Sequence, residues 1–397
     1  MIRPSMITHA IFADRALTPH DEILDAVLLV DGGKIAALGR RDRIEIPCTA
    51  RRIETQGLTM APGFVDVHIH GAGGHDVMEG TPEAFSAITS TVARRGTTSL
   101  VATTVTASVK ATCDAIRNIA DWIHSRPKQR TGPAPEAEII GIHFEGPFIS
   151  PAKRGVHPVE YIVPPSAELL RQFIAAAQGT GRILTMAPEL PGSCELIAAA
   201  RHAGLVVSLG HTDASFEQSK SAIESGARHA AHVFNAMRPF AHRDAGVIGA
   251  VLTTPGVTAE LIADGVHVDA AAMRILLAAK GFDDVILVSD GTAATGMPDG
   301  AYRLGTFEVT VSKGIPRSSD GRLAGSTLTL DCALRNIVAL GVPLPSALAM
   351  LTANPARLLG IEKRKGNLAS GADADIVLFD RNLELTGVMA RGVGLDA

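Results

Sequence analysis

The sequence predicts an α/β protein, a (β/α)8 TIM-like barrel with a small β-sandwich domain built from both chain ends. Three observations predict it. In the middle of the chain, apolar runs of strand character alternate with helical stretches, the signature of a parallel α/β fold. Both ends carry only strand and turn signals. Polar residues of metal-ligand type gather where the central strands end, and barrel enzymes place their active sites at that rim.

The eight central runs are Gly63–His70, Thr98–Thr104, Glu138–Glu145, Ile183–Pro188, Val206–His211, Ala230–Asn235, Ala259–Ala263 and Asp284–Ser289. Helical patterns lie between them at Pro82–Arg95, Ala107–His124, Ser166–Gln178, Ser193–Ala203, Ser215–Ser225 and Ala270–Lys280. Gly300–Arg322, rich in Gly and Ser, reads as an excursion. Leu344–Leu359 reads as a late helix interrupted near Asn354-Pro355. Near the start, Ala26–Val30 and Lys34–Leu38 flank Asp31-Gly32-Gly33, a hairpin signal. Ile376–Phe379 and a further short strand repeat that character at the far end. The expected division is residues 1–61 with 360–397 as one discontinuous β domain, and 62–359 as the barrel.

Composition narrows the class without naming the chemistry. The chain has 397 residues, 46% hydrophobic and 20% charged, with a formal net charge of −4. That balance suits a globular protein with a large core and argues against a broad basic face for nucleic acid or lipid headgroups. Aromatics are only 4%, so base-stacking platforms are not expected. Cys48, Cys113, Cys194 and Cys332 form no CxxC pair and read as thiols of a reducing compartment. With no secretory leader pattern and no long apolar run, a cytoplasmic protein without a membrane span is expected.

The chemistry gathers at the strand ends. In Val65–His70, Val65, Val67 and Ile69 alternate with Asp66, His68 and His70, so both imidazoles reach one side of a strand. Alone, the pair fits two structural histidines as well as a metal site. Glu145, His211 and Asp290 fall at the ends of the third, fifth and eighth runs, and the sixth carries His232. Four histidines and two carboxylates converging on one rim form a nitrogen and oxygen set suited to zinc or another divalent ion.

The stretches HIHG, HFEGPF, GHTDAS, AAHVFNAM, ADGVHVD, VSDG and LAGSTLTLD resemble the motifs of N-acetylglucosamine-6-phosphate deacetylases, in the amidohydrolase superfamily. The resemblance spans the barrel and both flanking β segments. It implies that Glu145, His211 and His232 hold a principal metal, and that His68 and His70 share Glu145 to hold a second in some members. One or two ions per chain are therefore expected, zinc foremost, with iron, cobalt or manganese as alternatives. It further implies Asp290 as the catalytic base and His157 as a contact to the sugar and acetamido region. Asn235, Ala236 (through its N–H), Arg243 and His267 would bind the substrate phosphate, and Thr327 would approach the sugar. A guanidinium fork suits phosphate, which supports Arg243 independently.

The implied activity is hydrolysis of the acetamide of N-acetylglucosamine 6-phosphate, in amino-sugar catabolism or cell-wall sugar recycling, by a cytoplasmic homodimer. Rivals are the galactosamine epimer's deacetylase, another amidohydrolase such as a D-aminoacylase or cyclic amidase, and a non-catalytic barrel scaffold. After Asp290 the chain reads Gly-Thr-Ala-Ala-Thr-Gly, a departure from many relatives that bears on substrate preference. His75, His229 and His242 match no ligand position and read as structural.

Overall fold

In the computed structural model, which describes residues 7–19, 21–127, 132 and 134–395, the chain opens with β1 (Ile7–Leu17), β2 (Glu22–Asp31), β3 (Lys34–Arg40) and β4 (Arg51–Pro62). The first barrel strand, β5 (Phe64–Ile69), leads into a short hairpin, β6 (Gly71–Ala72) and β7 (His75–Asp76). The remaining barrel strands are β8 (Thr97–Thr104), β9 (Glu138–Glu145), β10 (Gly181–Met186), β11 (Val206–Leu209), β12 (His229–Ala230), β13 (Thr258–Leu261) and β14 (Val285–Leu287). After them come β15 (Gly300–Leu304), β16 (Phe307–Ser312) and β17 (Ile315–Ser318), then β18 (Ile376–Phe379) and β19 (Leu385–Met389).

The eight barrel strands pair in chain order from β5 to β14, all in parallel. The seam closes where Asp290 N–H donates to His68 O (2.9 Å) and His70 N–H to Gly291 O (2.8 Å). Three residues of the candidate site, His68, His70 and Asp290, therefore lie on the closure itself.

The end segments form one six-stranded mixed sheet, ordered β19-β18-β4-β1-β2-β3. Its outer edge returns on itself, because Ile35 N–H donates to Ala372 O at 2.9 Å and Gly371 N–H to Ile35 O at 2.8 Å. The curled sheet encloses a core of alternate residues, including Ile11, Leu28, Ile53, Met60 and Ile376. This is the small β domain expected from both chain ends, built on one curled sheet. Its second face packs Ala10, Phe12, Val27 and Leu29.

Helices follow the strands as the caps dictate. Thr81, Ser108, Ser166, Ser215 and Asp269 each accept a first-turn N–H, and Pro82 occupies the first position of its helix. Two helices escaped the sequence reading, Gly246–Thr253 and Leu330–Ala339. The expected late helix is two, Leu344–Leu351 and Ala353–Leu358, broken at Thr352.

Two further expectations need correction. The segment Gly300–Arg322, read as an excursion, is largely an antiparallel sheet of β15, β16 and β17. The run Ala230–Asn235, read as strand six, is strand only as far as Ala230. Beyond it His232, Phe234 and Ala236 have φ of 28°, 81° and 49°, left-handed conformations that end the ladder. His232 is thus carried by the turn after β12. No described helix is long and apolar enough to cross a membrane.

Candidate active site

Glu145 ends β9 and is the centre of the rim. Its Oε1 lies 3.1 Å from His211 Nε2, 3.1 Å from His232 Nε2 and 3.3 Å from His68 Nε2. Its Oε2 lies 3.4 Å from both His70 Nε2 and His157 Nε2. Asp290 Oδ1 approaches His70 Nε2 at 3.3 Å and His68 Nε2 at 3.7 Å. His211 and Asp290 have φ of 48° and 49°; these turns at the ends of their strands are strained for L residues. Gly155, at φ 58°, lets its loop press on His211, since a Cβ there would lie 3.2 Å from the ring.

Hydrogen bonds at the far nitrogens sort the histidines by role. His70 Nδ1–H donates to Thr103 O (3.0 Å), His211 Nδ1–H to Lys153 O (3.0 Å) and His68 Nδ1–H to Glu260 Oε2 (2.8 Å). Each pairing fixes the tautomer that leaves an Nε2 lone pair turned to the centre. His157 is opposite. Its Nδ1 accepts the Thr106 N–H at 3.2 Å, so the neutral ring carries its proton on Nε2 and presents a donor. It suits an oxyanion contact and not a metal bond.

The electrostatics follow from crowding. Burial disfavours an ionised Glu145, but the imidazoles around it, His68 and His211 foremost, hold its pKa well below the usual range. For Asp290, burial again opposes ionisation, and the His70 hydrogen bond with the neighbouring imidazoles keeps the pKa below normal. Burial works against a charged His68, yet Glu260 and Glu145 hold its pKa well above the ordinary value, so a divalent ion bound there would take the place of its Nε2 proton. His211, dominated by burial, is lowered to about 4.

The donor set fits a divalent ion. His68 Nε2 is buried with no hydrogen-bond partner among the described residues, though two carboxylates face it. Nitrogen and oxygen ligands about 2.0–2.1 Å from a zinc ion sit about 3.3 Å from one another in a tetrahedron, and the contacts to Glu145 run from 3.1 to 3.4 Å. His68 with Glu145 and His232, and His68 with His70 and Asp290, are both groupings able to hold an ion.

A cavity of about 330 Å³ opens over this cluster and reaches Asn235, Ala236, His267 and Arg322. His267 is held by Asp264, which accepts from its Nδ1 at 2.7 Å. The Ala236 N–H has no acceptor among the described residues, whereas the Asn235 side chain is turned to His232 O at 3.1 Å. Arg243 and Thr327 do not line this cavity. Arg243 is exposed on the loop after His232, and the Thr327 hydroxyl donates to Gly314 O at 2.7 Å.

The sequence reading missed Glu260, Arg322 and the polar layer below the rim. Glu260 is fully buried on β13 and takes hydrogen bonds from His68, His229 and the His232 N–H. An isolated acid inside Thr-Ala-Glu-Leu-Ile-Ala was the available signal. His143, lowered to about 3 chiefly by burial, and Asp66, raised to about 7 by the same cause, complete the layer.

A closed parallel barrel with a histidine and carboxylate cluster at the strand ends defines a class, and the family comparison agrees: residues 59–394 match the amidohydrolase family. The chain belongs to that family and is an enzyme of carbon–nitrogen bond hydrolysis. Within it, the curated relatives are amino-sugar phosphate deacetylases. An N-acetylglucosamine-6-phosphate deacetylase of Lysinibacillus sphaericus is 36% identical, over 94% of this chain and 93% of its own. An N-acetylgalactosamine-6-phosphate deacetylase of Escherichia coli O157:H7 is also 36% identical, over 97% and 99%. An aspartate-to-alanine mutant of the Mycobacterium smegmatis N-acetyl-D-glucosamine-6-phosphate deacetylase, solved with N-acetyl-D-glucosamine-6-phosphate, superposes with a TM-score of 0.91 at 33% identity, covering 99% of this chain and 100% of that one.

Proposed function

We propose that the enzyme hydrolyses the acetamide of N-acetylglucosamine 6-phosphate, releasing acetate and glucosamine 6-phosphate. The observation that carries this reading is one cavity joining the Glu145 and Asp290 cluster to the free Ala236 N–H and to His267. A backbone N–H without an acceptor and an imidazole braced by a carboxylate suit a phosphate oxygen. Relatives from bacteria and mammals carry the corresponding deacetylase name.

Glu145, His211 and His232 would hold a principal ion, and His68 and His70, with Glu145, a second; zinc is the metal proposed. Such an ion supplies Lewis acidity, which brings the pKa of water towards neutrality and polarises a carbonyl. The protein's own groups supply the rest. Asp290, ionised and low in pKa, takes the proton of the attacking water. His157 Nε2–H stabilises the negative charge growing on the acetyl oxygen. Asp290 then returns the proton to the amine nitrogen, without which the amine is a poor leaving group.

The reading extends to a cytoplasmic homodimer. Arg243 makes no hydrogen bond or ion pair among the described residues, and Phe240, three positions earlier, is 56% exposed. An unpaired cation beside an exposed aromatic suits a subunit interface that sends Arg243 to a neighbour's phosphate.

Acetate release from the gluco and galacto sugar phosphates, each with a defined metal, tests the function. Faster turnover of the gluco epimer is expected. Preference for the galacto epimer would reassign the substrate, and release only from unphosphorylated amides would overturn the phosphate reading.

A further inference from the structure

Glu260 is fully buried, and every donor it meets belongs to the site or its support. Its Oε2 receives His68 Nδ1–H at 2.8 Å and the His232 N–H at 2.9 Å, while Oε1 receives His229 Nε2–H at 2.8 Å. The Glu260 carbonyl also accepts the Val233 N–H at 3.0 Å. The two residues bound by Oε2 come from different candidate ligand sets: His68 from the pair on β5, His232 from the turn after β12. That turn has left the strand ladder, so a side chain on the neighbouring strand takes over part of the ladder's work.

We infer that Glu260 is a positioning residue that dictates the metal affinity of His68. A carboxylate accepting Nδ1–H locks the ring as the tautomer with an Nε2 lone pair, and makes that lone pair more basic. Through the second bond of the same oxygen, the ring is tied to the His232 turn, so the two ligand sets are placed as one unit. His229, outside the site, then has a function as well: it holds the other carboxylate oxygen and stops Glu260 from rotating. The inference rests on the metal-dependent reading above.

Two substitutions separate charge from shape. In Glu260→Gln, the amide oxygen can still accept from His68 and His232. The amide NH2 can donate to His229 once that ring's proton moves to Nδ1, where Thr258 Oγ1 lies at 2.7 Å. The hydrogen bonds survive and the charge is lost. Glu260→Ala removes both. The test titrates metal-free full-length protein with zinc against a chromophoric chelator, after circular dichroism has established a native fold. Outer-shell partners of metal-bound histidines typically contribute about ten- to a hundredfold in affinity. The weaker loss is expected for Glu260→Gln and the larger for Glu260→Ala. Because the effect runs through His68, Glu260→Gln in a His68→Ala background should leave the remaining zinc affinity unchanged. Wild-type affinity in folded Glu260→Gln overturns the inference, and so does an equal loss with and without His68. A wild-type chain that binds no zinc would instead refute the metal-dependent reading itself.

Discussion

Strand β9 begins with Glu138 and ends with Glu145, and the two ends of this one strand make an instructive pair. Each glutamate sits among ionisable side chains. At the start, Lys365 Nζ contacts Glu138 Oε2 at 2.8 Å, Asp373 Oδ2 at 2.8 Å and Asp375 Oδ2 at 2.7 Å. Arg364 pairs with Glu138 and Asp373, and Lys34 pairs with Asp373. Three permanent cations meet three acids, so the cluster is balanced by its own covalent chain. At the other end, among the described residues, Glu145 and Asp290 form ion pairs only with imidazoles, whose charge is optional. The balanced end joins the β domain to the barrel. The unbalanced end asks for positive charge from elsewhere, which is the electrostatic basis for reading it as a metal centre.

The largest expected effect tests the unbalanced end. Asp290→Asn preserves size but removes the proton acceptor, and turnover should fall about 10²–10⁴-fold with metal content unchanged. Near-normal turnover in the metal-replete variant would remove Asp290 from its role. The balanced end should answer in stability alone. Lys365→Met leaves buried acids without their shared cation, and breaking such a pair costs about 3–5 kcal/mol. Urea titration measures this, and turnover per folded molecule at a permissive temperature should stay near normal. A large loss of turnover with intact stability would erase the contrast between the two ends.

Acid sharpens the same contrast. Burial opposes ionisation of Glu138, but Lys365 and Arg364 depress its pKa from 4.5 to about 2. The group binds protons less readily folded than unfolded. Its stabilisation is therefore complete above about pH 4.5 and is lost as pH falls towards 2, a change of roughly 3 kcal/mol. Asp375, raised first of all by burial, works in the opposite sense, whereas Asp373, held low against its burial by Lys365 and Lys34, adds to the loss. Denaturation curves between pH 6 and 3 should show declining stability in the wild type and a flatter profile in Glu138→Gln. Parallel profiles would exclude Glu138 as the origin.

The smallest effect concerns the rim's outer boundary. Arg243→Ala should raise KM about ten- to a hundredfold, matching about 1.5–3 kcal/mol for a charge-assisted hydrogen bond, with kcat little changed. Mixed dimers of Asp290→Asn and Arg243→Ala subunits should regain part of the wild-type kcat/KM, because one hybrid site has both groups. No recovery in verified hybrids would return Arg243 to its own chain or remove it from phosphate binding.

How much of this could be read from the residues depends on where the signal lies. The barrel strands were legible because fully buried parallel strands read as apolar runs. Glu145, His211 and Asp290 stood out as polar interruptions at their ends. His232 does reach the rim cluster, but from a turn and not a strand, since no pattern in Ala-Ala-His-Val-Phe-Asn announces left-handed turns supported by Glu260. Helix Gly246–Thr253 was invisible for a different reason: it is apolar almost throughout, with two glycines and no polar face to set a period. Leu330–Ala339 does carry the period, in Leu330, Ala333, Leu334 and Ile337. The Glu138 cluster could not be read at all. It joins residues more than 200 positions apart, as Glu138 with Arg364 shows, and ion pairing leaves no local periodicity.

The six-stranded sheet has a consequence for biosynthesis. β4 receives β18 along one edge, with Pro62 opposite Ile376, and β1 lies parallel on the other. A ribosome working at about 5–20 residues per second needs roughly 15–60 s to travel from the first of these partners to the second. Through that interval β4 presents an open edge of unpaired N–H and C=O groups, a template for another chain. The nascent protein is therefore most exposed to aggregation while its barrel is being made, and chaperone demand should end when the last strands emerge.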